Sequence, residues 1–87
     1  MTESMTEPVV RQRIAAMVES ASDGMIAAAD AMAAGRSLGA LGLTSLGYLR
    51  LADAVELEFG TELDLGAAVA VDTLDGLVAQ VLTPDRR

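Results

Sequence analysis

Residues 41–51 read LGLTSLGYLRL, and this stretch joins a turn-forming segment to a helix with a regular apolar pattern. Gly42 favours a turn, whereas the apolar residues from Tyr48 onward recur at helical spacing. Ser45 lies at the junction between the two. Serine is a preferred N-cap of helices, and its hydroxyl can also bear a covalent group. Read alone, the stretch leaves both roles open.

The helix that follows is predicted to begin at Ser45, to run to about Phe59 and to stop at Gly60. At about 100° per residue, its apolar residues form one core face. That face consists of Tyr48, Leu51, Ala52, Val55 and Phe59. Leu46 and Leu49 lie beside Ser45 but off the core face. They form a candidate docking patch, although scattered exposed leucines are common in proteins.

Two more amphipathic helices are predicted, one on each side of this central stretch. The first begins after Thr6, which can cap it, and ends at Asp23-Gly24. Its apolar stripe consists of Val10, Ile14, Met17, Val18 and Ala21. The last begins after Thr73, another good N-cap. Its stripe consists of Leu74, Leu77, Val78, Val81 and Leu82.

The connecting segments are less regular. A short helical segment is predicted before Gly35 from residues at helical spacing, which are Met25, Ile26, Ala29, Met32 and Ala33. From Gly35 to Gly42 the chain is rich in glycine. Three leucines are expected to anchor this long connection to the core: Leu38, Leu41 and Leu43. Further along, Asp64 could cap a short helical turn at 67–70.

Composition and length favour a small all-α domain. The chain has 87 residues, of which 52% are hydrophobic and only 2% are aromatic, so its core is built from aliphatic side chains that suit helices. No β-pattern appears. We predict a bundle of three main helices plus one short helix, with a long first loop. The domain is expected to span 6–83, between a disordered N-terminus at 1–5 and a flexible tail at 84–87.

Charge and residue types exclude several functions. The net charge is −7, which argues against nucleic acid and favours partners with basic surfaces. The chain has no His and no Cys, so it lacks the Ser-His and Cys-His catalytic pairs and the Cys-type zinc site. Met17, Met25 and Met32 are interpreted as core residues rather than a soft metal site. With neither a signal peptide nor a membrane-spanning run, a cytoplasmic protein with no membrane partner is expected.

The helix layout and the stretch from Leu41 to Leu46 resemble the acyl carrier protein family. That family's signature is a Leu-Gly-x-Asp-Ser-Leu turn at the start of its second helix. The resemblance implies a 4′-phosphopantetheine arm attached covalently to Ser45, whose thiol holds the cargo. It implies a carrier with no catalytic residue and no metal. The expected partners are a phosphopantetheinyl transferase and either acyltransferase and ketosynthase enzymes or adenylation-type loading enzymes.

Two features depart from the family pattern. The Asp that precedes the family's serine is Thr44 here, which removes a negative charge beside the phosphate. The acids that usually follow the serine are also absent, and Gly47 and Arg50 occupy that half of the helix. We predict a docking surface for partner enzymes around Ser45. It consists of Thr44, Leu46, Leu49, Arg50, Asp53 and Glu56.

These departures favour an acyl carrier protein of polyketide- or fatty-acid-like secondary metabolism over housekeeping fatty-acid synthesis. The lack of flanking domains favours a discrete carrier, which is expected to be a monomer. A discrete peptidyl carrier of a nonribosomal peptide pathway is the alternative, although such carriers usually have Gly-Gly where this chain has Gly42-Leu43. Two other hypotheses are an enzyme with Ser45 as nucleophile, which lacks a His base, and an unmodified helical interaction module in which Ser45 is only a cap. As a cap, Ser45 should contribute about 1 kcal/mol to stability.

Overall fold

The computed structural model describes residues 6–33, 37–61, 63 and 72–82, and within these ranges the chain is helical without a strand. The helices in the described ranges are, in chain order, α1 (Glu7–Ala21), α2 (Ala28–Ala33), α3 (Ser45–Phe59) and α4 (Leu74–Leu82). Three of them are longer and α2 is short, which confirms the predicted all-α bundle. Each of the other three helices packs against α1, so α1 forms the centre of the bundle.

The helix α1 buries the predicted apolar stripe. Its buried residues are Val10, Ile14, Ala15, Val18 and Ala21, and Met17 is partly buried against the same core. Thr6 precedes the helix as predicted, but its side chain makes no capping hydrogen bond, so that part of the prediction is wrong. Pro8 follows in the first turn and has no N–H, which removes one of the donors that a cap can accept from.

The end of α1 agrees with the prediction. Asp23 and Gly24 have φ angles of 56° and 82°, the left-handed conformation that closes many helices. Gly24 N–H donates a hydrogen bond to the carbonyl of Glu19 at 2.8 Å, which satisfies one of the last carbonyls of the helix. The chain then turns towards α2.

The predicted segment around α2 is only partly correct. The helix begins at Ala28, so Met25 lies before it, in the turn after α1, with 81% of its surface exposed. Met32 is also exposed. The prediction that these two methionines belong to the core is therefore wrong. Ile26 and Ala31 fill that side of the core instead.

The connection before α3 is anchored as predicted. Leu38 and Leu43 are buried, and Leu41 is partly buried against the core. On α3 the predicted core face is also confirmed, since Leu51, Ala52 and Val55 are buried. Tyr48 and Phe59 pack against the same core at its edge. Gly60, with φ at 68°, ends the helix and donates its N–H to the carbonyl of Glu56 at 2.9 Å.

The helix α4 also follows its predicted pattern. Thr73 is the N-cap, because its Oγ1 accepts a hydrogen bond from Gly76 N–H at 2.9 Å. Leu74, Leu77 and Val78 are buried. Leu82, predicted on the same stripe, is 38% exposed, since it is the last residue of the helix.

The remaining predictions concern residues outside the described ranges. These are the turn at 67–70 with Asp64 as its cap, the N-terminus at 1–5 and the tail at 84–87. The domain boundaries of 6 and 83 stay predictions.

Candidate functional site

Ser45 is the first residue of α3 and not its N-cap. The cap is Thr44, whose backbone is extended and whose Oγ1 accepts a hydrogen bond from Gly47 N–H at 3.1 Å. The hypothesis that Ser45 is merely a cap is therefore wrong. A threonine hydroxyl caps a helix nearly as well as a serine hydroxyl, and here it lies one residue nearer the loop.

The hydroxyl of Ser45 is consequently left without a structural task. Ser45 is exposed, and no residue in the described part of the chain forms a hydrogen bond with its Oγ. The first-turn N–H groups of Ser45 and Leu46 likewise meet no acceptor among these residues. Free N–H groups and the positive end of the helix dipole stabilise an anion at a helix start. The site thus suits a serine that bears a phosphodiester.

A close contact beneath the helix fixes the approach of the chain to Ser45. Gly47 is buried, and a Cβ placed on it would lie 2.6 Å from Leu43 Cδ1 and 3.2 Å from Leu43 Cγ. Leu43 therefore packs where a side chain at position 47 would otherwise lie. Leu43 N–H also donates to the carbonyl of Leu38 at 3.0 Å. Apolar periodicity did not predict this role of Gly47, although a glycine inside a helix is a signal that close packing requires one.

The predicted docking surface is only partly assembled on the outside of α3. Leu46 and Leu49 are 56% and 57% exposed, and Arg50 and Asp53 are exposed on the same side of the helix. Glu56 differs, because its Oε2 accepts a hydrogen bond from Leu63 N–H at 3.0 Å and it is partly buried. The structure thus places Glu56 at the junction after α3, where it holds the chain.

The outer side of α3 has less unpaired positive charge than the sequence alone indicates. Arg50 pairs with Asp23 at 3.3 Å, so its charge is offset by the turn after α1. Arg11 and Arg13, the other arginines in the described ranges, also pair with acids. Asp53 forms no ion pair with any described residue. The charge that this face leaves uncompensated is negative, which suits a partner with a basic surface.

Tyr48 connects the site to the start of α4. Its hydroxyl donates a hydrogen bond to the carboxylate of Asp72, and the carbonyl of Asp72 accepts a second one from Leu38 N–H at 2.6 Å. Burial and the hydrogen bond to Asp72 raise the pKa of Tyr48 to about 12. No sequence pattern marked this contact, since 24 residues separate its two partners.

Two further findings concern metal ligands and helix length. Among the residues that the structure describes, no group of His, Cys, Asp or Glu is arranged to hold a metal ion. None of the described helices is long and apolar enough to cross a membrane.

Comparison with known proteins adds one match. A family model described as a phosphopantetheine attachment site matches residues 12–81, which include the whole junction around Ser45. Comparisons with curated proteins and with solved structures each found no match.

The contact between Leu43 and Gly47 predicts that Gly47→Ala destabilises the protein. Alanine favours a helix over glycine by about 1 kcal/mol, but overpacking of this kind costs about 1 to 3 kcal/mol. We expect a net loss of about 1 kcal/mol in the free energy of unfolding, measured by urea denaturation. In a Leu43→Ala background the same change should stabilise, because the obstructing side chain is gone. Stabilisation of the wild-type background would contradict this account.

The environment of Tyr48 predicts an alkaline titration that can be followed without a label. Tyr48 is the single tyrosine and the chain has no tryptophan, so phenolate absorbance reports this residue alone. The pKa of Tyr48 is raised from 10.0 to about 12 in the folded protein. Its contribution to stability is therefore complete below about pH 10 and is lost as the pH rises to about 12. We therefore expect the phenolate midpoint at about pH 12. A midpoint at about pH 10 while circular dichroism still shows helix would contradict the raised pKa.

Proposed function

The chain belongs to the family of carrier proteins with a phosphopantetheine attachment site, and from that premise we propose that Ser45 is the attachment residue. Members of this family carry 4′-phosphopantetheine covalently on a serine. The observation that carries the proposal is the exposed hydroxyl of Ser45 at the start of α3, which Thr44 frees from capping. When attached, the arm's terminal thiol holds cargo as a thioester.

The other serines in the described ranges suit this role less well. Ser22 Oγ accepts a hydrogen bond from Ile26 N–H, and Ser37 Oγ accepts one from Ala40 N–H, so both hydroxyls support turns. Ser20 lies in the last turn of α1, where the negative end of the helix dipole disfavours an anion. Ser45 alone among them combines an uncommitted hydroxyl with a helix N-terminus.

Carriers of this family interact with phosphopantetheinyl transferases and with biosynthetic enzymes. For this chain, the proposed contact is the outer side of α3. Leu46 and Leu49 supply exposed apolar area next to Ser45, and Asp53 supplies a negative charge farther along. Thr44 lies in this surface without the negative charge that the family's Asp would place beside Ser45. Arg50 also lies in it, with its positive charge offset by Asp23. Glu56 is assigned to holding Leu63 rather than to docking.

The proposed cargo is an acyl group. The carrier acts as a monomer and is served by acyltransferase- and ketosynthase-type enzymes of a polyketide- or fatty-acid-like secondary pathway. Peptidyl carriers usually have glycine where this chain has Leu43. The side chain of Leu43 is buried and packs on Gly47, a contact that a glycine could not make. This packing favours the acyl over the peptidyl function. A peptidyl carrier served by an adenylation-type enzyme is the second candidate, supported by Thr44 in place of the acyl family's Asp.

The central test is the intact mass of the protein after incubation with coenzyme A and a promiscuous phosphopantetheinyl transferase. Wild type should gain one phosphopantetheine unit and Ser45→Ala should gain none. Because Ser45 is not the cap, Ser45→Ala should keep nearly the full stability, so the loss of loading cannot be ascribed to unfolding. Ser20→Ala is the matched control and should load like wild type. No mass gain with any of several transferases would contradict the proposal.

The second test concerns the missing charge before the serine. Thr44→Asp restores a negative charge, and Thr44→Asn provides a cap of similar shape without one. Both variants should unfold at nearly the wild-type urea concentration, since Asp and Asn are good caps. Only Thr44→Asp should change kcat/KM for the transferase, because a charge next to the reacting hydroxyl changes the electrostatic potential of the surface to which the enzyme binds. Equal kinetics for all three proteins would show that Thr44 does not set partner preference.

A further inference from the structure

Asp72 accepts hydrogen bonds from two different elements that flank the candidate site. Its carbonyl accepts from Leu38 N–H in the loop before α3, at 2.6 Å, and its carboxylate accepts from the Tyr48 hydroxyl on α3. We refer to this pair of hydrogen bonds as the Asp72 clasp. Thr73, the next residue, caps α4, so the clasp is fixed to the start of that helix.

Both arms of the clasp lead to Ser45. On the loop side, the carbonyl of Leu38 accepts from Leu43 N–H at 3.0 Å, and Leu43 packs on Gly47. On the helix side, Tyr48 N–H donates to the carbonyl of Thr44 at 2.9 Å. The chain immediately before Ser45 is thus tied to α4 through Leu38, and the chain immediately after it through Tyr48.

The hydrogen bond between Tyr48 and Asp72 is partly buried. Tyr48 packs against the core, and its hydroxyl lies 3.3 Å from the position that a Cβ on Gly39 would occupy. A side chain at position 39 would therefore crowd the Tyr48 hydroxyl. A hydrogen bond between a hydroxyl and a carboxylate is among the stronger kinds, and partial burial reduces competition from solvent.

We propose that Tyr48 is a positioning residue that acts through Asp72 to hold Ser45 in the one arrangement that partner enzymes bind. The inference rests on the proposed carrier function, because it concerns how the attachment residue is presented. When the clasp is open, the loop and the first turn of α3 sample several arrangements, and only a fraction of the molecules is competent to bind. The apparent affinity for the transferase is the intrinsic affinity multiplied by the competent fraction, while the bound complex reacts as before.

The test compares four single variants and one double variant with wild type. Tyr48→Phe removes the hydroxyl alone, Asp72→Ala removes its acceptor, and Asp72→Asn keeps an acceptor oxygen without the charge. Val81→Ala is the matched control, since Val81 packs against the core near the far end of α4 and forms neither hydrogen bond of the clasp. Each protein is measured for amide hydrogen exchange at Leu38 and Leu43 and for transferase KM and kcat.

Tyr48→Phe and Asp72→Ala should accelerate exchange at both amides by about tenfold, the factor that one lost hydrogen bond typically represents. KM should rise several-fold with kcat little changed, and Asp72→Asn should remain closer to wild type. The double variant Tyr48→Phe/Asp72→Ala should be no worse than either single variant, because both break the same bond.

If Tyr48→Phe had the same transferase KM and the same amide exchange rates as wild type, the proposal would be overturned. An equal rise of KM in Val81→Ala would also overturn it, because the effect would then follow general destabilisation. Faster exchange with unchanged KM would reduce the clasp to a structural contact and overturn its positioning role. A wild-type protein that cannot be loaded at all refutes the carrier function itself, whereas normal loading of both wild type and Tyr48→Phe refutes the clasp alone.

Discussion

The hydrogen bond from Gly47 N–H to Thr44 Oγ1 sets the register in which α3 begins, and the site depends on that register. Because Thr44 is the cap, Ser45 becomes the first helical residue, with its hydroxyl exposed and uncommitted. The same turn places Gly47 inward, where Leu43 packs against it. Capping and packing therefore act on one short segment, and together they separate Thr44, which holds the helix start, from Ser45, the proposed attachment residue.

This arrangement divides α3 into a side that holds it and a side that is available to partners. Leu51, Ala52 and Val55 bury its inner side against a core that is centred on α1. The Asp72 clasp then ties its first turn to the loop and to α4. The outer side keeps two exposed leucines beside Ser45, and its one arginine is neutralised by Asp23. A rigid inner side lets the outer side be presented in a constant geometry, which reduces the ordering cost of binding.

The fold was largely predictable from apolar periodicity. The junction at Ser45 and the glycine at position 60 predicted the two ends of α3. The helical spacing of Leu51 and Val55 predicted that Leu46 and Leu49 lie off the core face. Three features were not predictable in this way. The first is the N-cap of α3, since Thr44 and Ser45 are adjacent and either side chain could have capped the helix. The second is the Tyr48–Asp72 contact, which joins distant positions without any periodic signal. The third is the exposure of Met25, which lies in a turn where helical spacing does not apply.

Fragmentation mass spectrometry of the loaded protein tests the central assignment most directly. Cleavage after arginine yields the peptide 37–50, whose aliphatic hydroxyl residues are Ser37, Thr44 and Ser45. We expect the whole phosphopantetheine mass on Ser45, since the other two hydroxyls accept backbone hydrogen bonds. Added mass on Thr44 or Ser37, or on a different peptide, would contradict it.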